Sequence, residues 1–209
     1  FCVASGNGSI CSNPPSCSSK TNFGLAWYSY DDGQSWSAPQ TLPTPAGGSN
    51  PPYQVNALSC YTSTVFGSQC VLAGFADNNN GLIEKGPVIP GQMINFTASY
   101  PFTGSETQPD FVNVTGVHCS NYGNCVVSAN LSNSTDLAQT LYPEYSAIYY
   151  SKDGGSTWSP SKIRKHAPDD AVTSNVSSIS CDETGMHCVA AGWYSPTSSN
   201  TPAKGLVYV

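Results

Sequence analysis

The chain has 209 residues, only 10% of them charged, and its 7 lysines and arginines against 13 aspartates and glutamates give a formal net charge of −6. Arg164 is the sole arginine, so the clustered cations that nucleic-acid phosphates require are missing and no nucleic-acid partner is expected. No run approaches the roughly 18 apolar residues of a membrane-spanning helix, so no membrane span is expected either.

The 19 glycines and 16 prolines, with many Ser, Thr and Asn, cut the apolar residues into short runs between turn signals. This texture reads as all-β. In chain order, Phe1-Cys2-Val3-Ala4-Ser5-Gly6 forms a strand, a Pro-rich loop holds Cys11 and Cys17, and Gly24-Leu25-Ala26-Trp27-Tyr28 forms the next strand. Ser29-Tyr30-Asp31-Asp32-Gly33-Gln34-Ser35-Trp36 follows as a turn. A hairpin from Cys60 to Cys70 leads into Val71-Leu72-Ala73-Gly74, then into the strand Gly81-Leu82-Ile83-Glu84-Lys85 and the turn Gly86-Pro87-Val88-Ile89-Pro90-Gly91. A further strand runs from Val114 to about Ser120, and the turn from Cys119 to Cys125 leads into Val126-Val127-Ser128-Ala129. After a polar loop from Asn130 to Glu144 come a strand from Tyr145 to Tyr150, the turn Ser151-Lys152-Asp153-Gly154-Gly155-Ser156-Thr157-Trp158, and a strand from Thr157 to about Ile163. The basic run from Lys162 to His166 suits a strand edge, where positive charge discourages unwanted pairing. Finally, a hairpin from Cys181 to Cys188 leads into Val189-Ala190-Ala191-Gly192, and Gly205-Leu206-Val207-Tyr208-Val209 repeats the pattern of Gly24 to Tyr28.

Two of these turns share the pattern S-x-D-x-G-x-[ST]-W, at Ser29, Asp31, Gly33, Ser35 and Trp36 and at Ser151, Asp153, Gly155, Thr157 and Trp158. Asp followed by Gly between β-forming runs is a hairpin signal. The Asp carboxylate accepts bonds from turn N–H groups and the Ser/Thr hydroxyl, Gly supplies a backbone angle that other residues resist, and Trp closes over the turn. Each role is structural. The pattern resembles the Asp-box (BNR) repeat of sialidase-like and sortilin-like β-propellers, and it implies four-stranded blades with the box joining the third and fourth strands at the rim.

The Cys-bounded hairpins open 59 and 62 residues apart, and the two boxes stand 122 apart, close to twice that step. A fixed period of this kind marks a repeat architecture such as a propeller. The chain then reads as one β-propeller segment: a partial blade 1–45, blades 53–108 and 110–168, and a partial blade 172–209. About 3.4 repeats are too few for a ring of 4–8 blades. Both ends fall inside a blade in this register, and the chain opens on a strand without a leader peptide, so the sequence reads as a fragment or as a subunit completed by neighbouring chains. Spacing alone leaves cysteine connectivity open. The repeat register pairs Cys60 with Cys70, Cys119 with Cys125 and Cys181 with Cys188, ties Cys11 to Cys17, and leaves Cys2 for a partner upstream or in another chain.

Nine cysteines and six N-x-[ST] sequons, at Asn7, Asn95, Asn113, Asn130, Asn133 and Asn175, point to secretion and glycosylation. The sialidase resemblance stops at the chemistry, because that family grips its substrate carboxylate with three arginines. Paired carboxylates for another glycoside hydrolase would have to come from Asp77, Glu84, Glu106, Asp110, Asp136, Glu144, Asp169, Asp170, Asp182 and Glu183, and turn chemistry accounts for Asp169-Asp170 and Asp182-Glu183. His118 and His187 each precede a cysteine but lack a second zinc-type pair, and Asp77-Asn78-Asn79-Asn80-Gly81 departs from a calcium loop at its glycine and lacks the closing Glu. No catalytic, cofactor-binding or metal residue is assigned. The expected function is that of a non-catalytic extracellular structural or interaction glycoprotein that self-assembles through incomplete blades. A glycan-binding or receptor-like ectodomain and a piece of an Asp-box glycoside hydrolase are the alternatives.

Overall fold

Residues 1–11, 20–43, 54–76, 80–102, 111–132, 145–165, 171–196 and 202–209 are described by a computed structural model. Strands and turns account for all the regular structure in them, in four small antiparallel sheets that follow one another along the chain. The first sheet holds β1 (Cys2–Cys11), β2 (Lys20–Ser29) and β3 (Gln40–Thr41). The second holds β4 (Gln54–Ser63), β5 (Gly67–Ala76), β6 (Asn80–Pro87) and β7 (Thr97–Ser99). The third holds β8 (Phe111–Cys119), β9 (Cys125–Ser132), β10 (Tyr145–Ser151) and β11 (Ser159–Lys165). The fourth holds β12 (Ala171–Cys181), β13 (Cys188–Pro196) and β14 (Lys204–Tyr208). Every strand pairs with its neighbour in sequence, so each sheet is a meander, and Lys162, Arg164 and Lys165 of the basic run lie on the edge strand β11.

The Cys hairpins place their two cysteines directly opposite each other in the ladder, and disulfides join Cys60 to Cys70, Cys119 to Cys125 and Cys181 to Cys188. Closing loops this short contributes about 2–3 kcal/mol each in the chain-entropy picture. Five residues before each opening cysteine stands a valine, Val55, Val114 or Val176, and the ladder slips immediately after it, at Asn56, Thr115 and Ser177. A bulge of this kind bends the strand and releases backbone groups from the ladder. It also brings backbone close to backbone: a Cβ on Gly74 would meet Gln54 O at 1.9 Å, and one on Gly192 would meet Asn175 O at 1.8 Å.

Because strands alternate faces, each sheet offers one apolar face to the sheet before it and another to the sheet after it. Ala26, Tyr28 and Leu42 of the first sheet meet Val55, Leu72, Ile94 and Phe96 of the second. Val71, Ala73, Ile83 and Phe102 of the second meet Val112, Val114, Val127 and Tyr149 of the third. Val126 and Ile148 of the third meet Val176, Ile179, Ala190 and Tyr208 of the fourth. The core is therefore three layers between successive sheets. Full burial of a valine or leucine there is worth about 1.5–3 kcal/mol.

Candidate functional site

The two Asp turns are closed by their own side chains. In the first, Ser29 Oγ donates to Asp31 Oδ1 (2.7 Å), Gly33 N donates to Ser29 Oγ (2.7 Å), and Ser35 donates to Asp31 from both its N (2.9 Å) and its Oγ (2.5 Å). In the second, Ser151 Oγ donates to Asp153 Oδ1 (2.7 Å), Gly155 N to Ser151 Oγ (2.8 Å), and Thr157 to Asp153 from its N (2.8 Å) and its Oγ1 (2.6 Å). Gly33 and Gly155 hold φ of +87° and +83°, the left-handed region the pattern reserves for glycine. Hydrogen bonds from Ser35 and then Ser29 hold the Asp31 carboxyl down at about 2. For Asp153, slight burial pushes upward, but the bonds from Thr157, Ser151 and Ser156 outweigh it and bring the carboxyl to about 2 as well. Both carboxylates are spent on their turns.

A second use of polar side chains joins sheet to sheet. Asn130, on β9, donates from Nδ2 to Val176 O (3.2 Å) and accepts at Oδ1 from Val176 N (2.8 Å). Asn7, on β1, does the same to Val55, at 3.0 Å and 2.7 Å. In each pair the valine precedes a bulge, and the asparagine amide satisfies the main-chain groups that the bulge has freed. The second sheet carries Phe75 at the corresponding position, and there Asn56 reaches across instead, donating to Val114 O at 2.7 Å. Thr115 Oγ1 likewise donates to Val176 O at 2.6 Å. These clamps escape a reading that sees Asn7 and Asn130 only as sequons, although both lie five residues after a cysteine, Cys2 and Cys125.

The clamps bear on the glycosylation sequons. Asn130 is 1% exposed, and its amide bonds both the C=O and the N–H of Val176. Asn7 uses its amide in the same way, Asn113 Oδ1 accepts from Asn56, and Asn175 Oδ1 accepts from Ser177. Asn95, ahead of β7, and Thr97 of its sequon, the first residue of β7, are exposed. Asn133, the side chain of Cys11, and Cys17 lie outside the described residues, as do Asp77, Glu106, Asp110, Asp136, Glu144, Asp169 and Asp170. Cys2 is a half-buried free thiol on β1, an edge strand. Asp182 caps the turn between β12 and β13, accepting from Thr184 N and Oγ1 and facing His187 Nδ1 at 2.9 Å; these bonds, His187 first, hold its carboxyl below the ordinary range. Glu84 is 0% exposed, and neither of its carboxylate oxygens has a hydrogen-bond partner among the described residues; burial pushes it up to about 8. Among the described residues no three His, Cys, Asp or Glu side chains group as metal ligands, and no helix is long and apolar enough to cross a membrane.

No protein-family model matches the chain, and no curated protein matches it.

The remaining distinctive surfaces belong to the third and fourth sheets and to the first. The turn at residues 151–158 rests on the second sheet: Tyr61 Oη donates to Gly154 O (3.1 Å), Lys85 Nζ donates to Ser156 Oγ (2.8 Å), and Trp158 packs near Phe102 with ring centroids 6.1 Å apart. Trp36, at the same place in its own turn, is 46% exposed, and beside it Phe1 and Tyr30 present exposed rings 5.0 Å apart. On the fourth sheet, the face corresponding to Val71 and Ile83 presents Val189 and Val207, the latter 63% exposed. Between the third and fourth sheets opens a cavity of about 530 Å³, lined by Val126, Ile148, Tyr150, Ile179, Ala190 and Val207 among others. Two like turns thus differ in what covers their tryptophan.

Proposed function

We propose that this chain is a non-catalytic, secreted structural glycoprotein of the Asp-box β-propeller type, whose first and fourth sheets dock head to tail between copies. The observation that carries the reading is the contrast between Trp158, seated against the second sheet, and Trp36, 46% exposed on the first. Among the described residues no sheet packs against Trp36 of the first sheet's turn, and the fourth sheet presents Val189 and Val207 on the face on which such a turn rests elsewhere in the chain. A contact between unlike surfaces of identical subunits propagates into a ring or a filament.

Secretion is supported by the three disulfides and by the exposed sequon at Asn95. The non-catalytic part is supported by the carboxylates of Asp31, Asp153 and Asp182, each consumed by its own turn. The test is sedimentation velocity over a concentration series, with negative-stain microscopy of the same samples. The expected result is concentration-dependent growth into linear or ring-shaped assemblies, abolished by Trp36→Ala. A chain that sediments as a monomer at every concentration overturns the assembly reading.

A further inference from the structure

We propose that the layer between the first and second sheets is a latch set by the protonation of Glu84: with the carboxyl neutral the layer stays closed, and as the carboxyl gives its proton to solvent the layer opens while the one between the second and third sheets stays shut. This goes beyond the proposed function and holds whether or not copies associate.

The repeat shows what is unusual about the position. Two places after Cys2, Cys70, Cys125 and Cys188 stand Ala4, Leu72, Val127 and Ala190, and each is opposite one residue of the following strand: Trp27, Glu84, Tyr149 and Tyr208 respectively. Three sheets place an aromatic ring there, and Tyr149 packs its ring against Phe102 with centroids 4.4 Å apart. The second sheet places a carboxyl. A ring adds apolar area to a layer, whereas a carboxyl enters one only by giving up its charge or finding a partner. A local rule broken without compensation marks function rather than folding.

No compensation is present among the described residues. Glu84 is 0% exposed, and neither of its oxygens has a hydrogen-bond partner there. Alternation puts it on the face of β6 shared with Leu82 and Gly86, and a Cβ on Gly86 would strike Ile94, so residues 94–96 lie close over that face. Leu72, Ile94 and Phe96 pack in this layer with Ala26, Tyr28 and Leu42 of the first sheet. From β2 comes the Tyr28 phenol, pushed up to about 12 by burial, then by Tyr30 and Glu84, and its Oη donates to Gln40 Oε1 (2.7 Å). From β5 comes Cys70, locked in its disulfide; β3, β7 and residues 94–96 carry no titratable side chain. Lys85 alternates to the opposite face, where its Nζ donates to Ser156 Oγ (2.8 Å). No ion pair among the described residues includes Glu84.

Burial accordingly pushes the carboxyl up to about 8 from an ordinary 4.5. The closed layer holds the proton, and an opened layer, in which water reaches the carboxyl, releases it at the ordinary value. Opening is therefore rarest below 4.5, grows about tenfold per pH unit between the two values and levels off above about 8. The layer between the second and third sheets, shared by Val71, Ile83, Val127, Tyr149 and Trp158, has no such carboxylate to expose. A small sheet that loses its partner layer loses what steadies its ladder, so amide exchange reports the opening.

The test is hydrogen exchange of the whole chain by mass spectrometry from pH 5 to 8, corrected for intrinsic rates, with and without urea too dilute to unfold it. At pH 8 the amides at 24–28 and 40–42 are expected to be protected at least about tenfold less than those at 126–131 and 146–149. Their protection is expected to fall about tenfold per pH unit and to depend little on urea, as a local opening does. Glu84→Gln, neutral at every pH, is expected to abolish the fall and close the gap between the two sets; should that variant misfold, the pH course of the parent decides. Protection at 24–28 that is flat from pH 5 to 8 overturns the latch, as does a fall that Glu84→Gln retains, or one that reaches 126–131 and 146–149 equally.

Discussion

Asn130 holds the backbone of Val176 by both of its polar groups, amide nitrogen to carbonyl at 3.2 Å and amide oxygen to N–H at 2.8 Å, across the gap between two sheets. The side chain stands in for a strand that the bulge has turned away. Replacing it with alanine leaves the buried Val176 N–H unmatched, while the carbonyl keeps its bond from Thr115 Oγ1, and is expected to cost about 1–3 kcal/mol. Asn7→Ala, made on a residue that is itself exposed, is expected to cost about 1 kcal/mol. Urea unfolding of the two variants checks the order. If Asn130→Ala costs no more than Asn7→Ala, the clamp is not the stabilising element described.

The same geometry predicts where sugar attaches. Expression through a secretory pathway followed by glycopeptide mapping is expected to find Asn95 occupied and Asn130 bare. A glycan on Asn130 in folded material would contradict the buried amide.

The two turn tryptophans are expected to separate stability from association. Trp158→Ala removes an indole from the packed junction and is expected to destabilise by about 3 kcal/mol or more. Trp36→Ala is expected to change stability by less than about 1 kcal/mol. Thermal melts at a concentration where the chain is monomeric distinguish them; equal losses would place Trp36 in a core.

Acid is expected to loosen the turn at residues 151–158. The Asp153 carboxyl sits at about 2 against an ordinary 3.8. A depressed carboxylate stabilises the fold above its unfolded value, and that contribution fades as pH falls from about 4 through 2. Asp153→Asn is therefore expected to flatten the stability profile over that window. Parallel profiles for the two proteins would show that other groups dominate.

Glu84 has the opposite sign. Its folded value near 8 lies above the ordinary 4.5, so the folded chain keeps a proton that the unfolded chain releases. Stability should fall by roughly 1.4 kcal/mol per pH unit between those values and level off above them. Glu84→Gln is expected to remove the slope and to be more stable than the parent above pH 8. A parent whose stability is flat from pH 5 to 8 would show that the carboxylate finds a partner.

Much of this architecture is legible in the chain because it repeats. The cysteine hairpins mark the first two strands of the second, third and fourth sheets, and a short apolar run marks the third strand of each of those and β2 of the first. The strands β3 and β7 are not legible, since two and three residues are too few to display an alternating pattern. The bulges after Val55, Val114 and Val176 leave no composition signal, so the clamps that depend on them stay hidden behind the glycosylation reading of Asn7 and Asn130. Glu84 reads as an ordinary strand carboxylate, because only its opposition to Leu72, on the face packed against the first sheet, buries it. The cavity could not be read at all, for it depends on how the third and fourth sheets pack against each other.

The three disulfides among the described residues span only 10, 6 and 7 residues. Each therefore closes within a single hairpin, as soon as its two strands meet, and none waits for a distant part of the chain. Folding can proceed as a series of short, independently oxidised units laid down in order of synthesis, with little opportunity for a cysteine of one sheet to capture that of another. For a chain that stacks sheet upon sheet, cross-links confined to the hairpin leave the number of sheets free to vary without re-wiring a single bond.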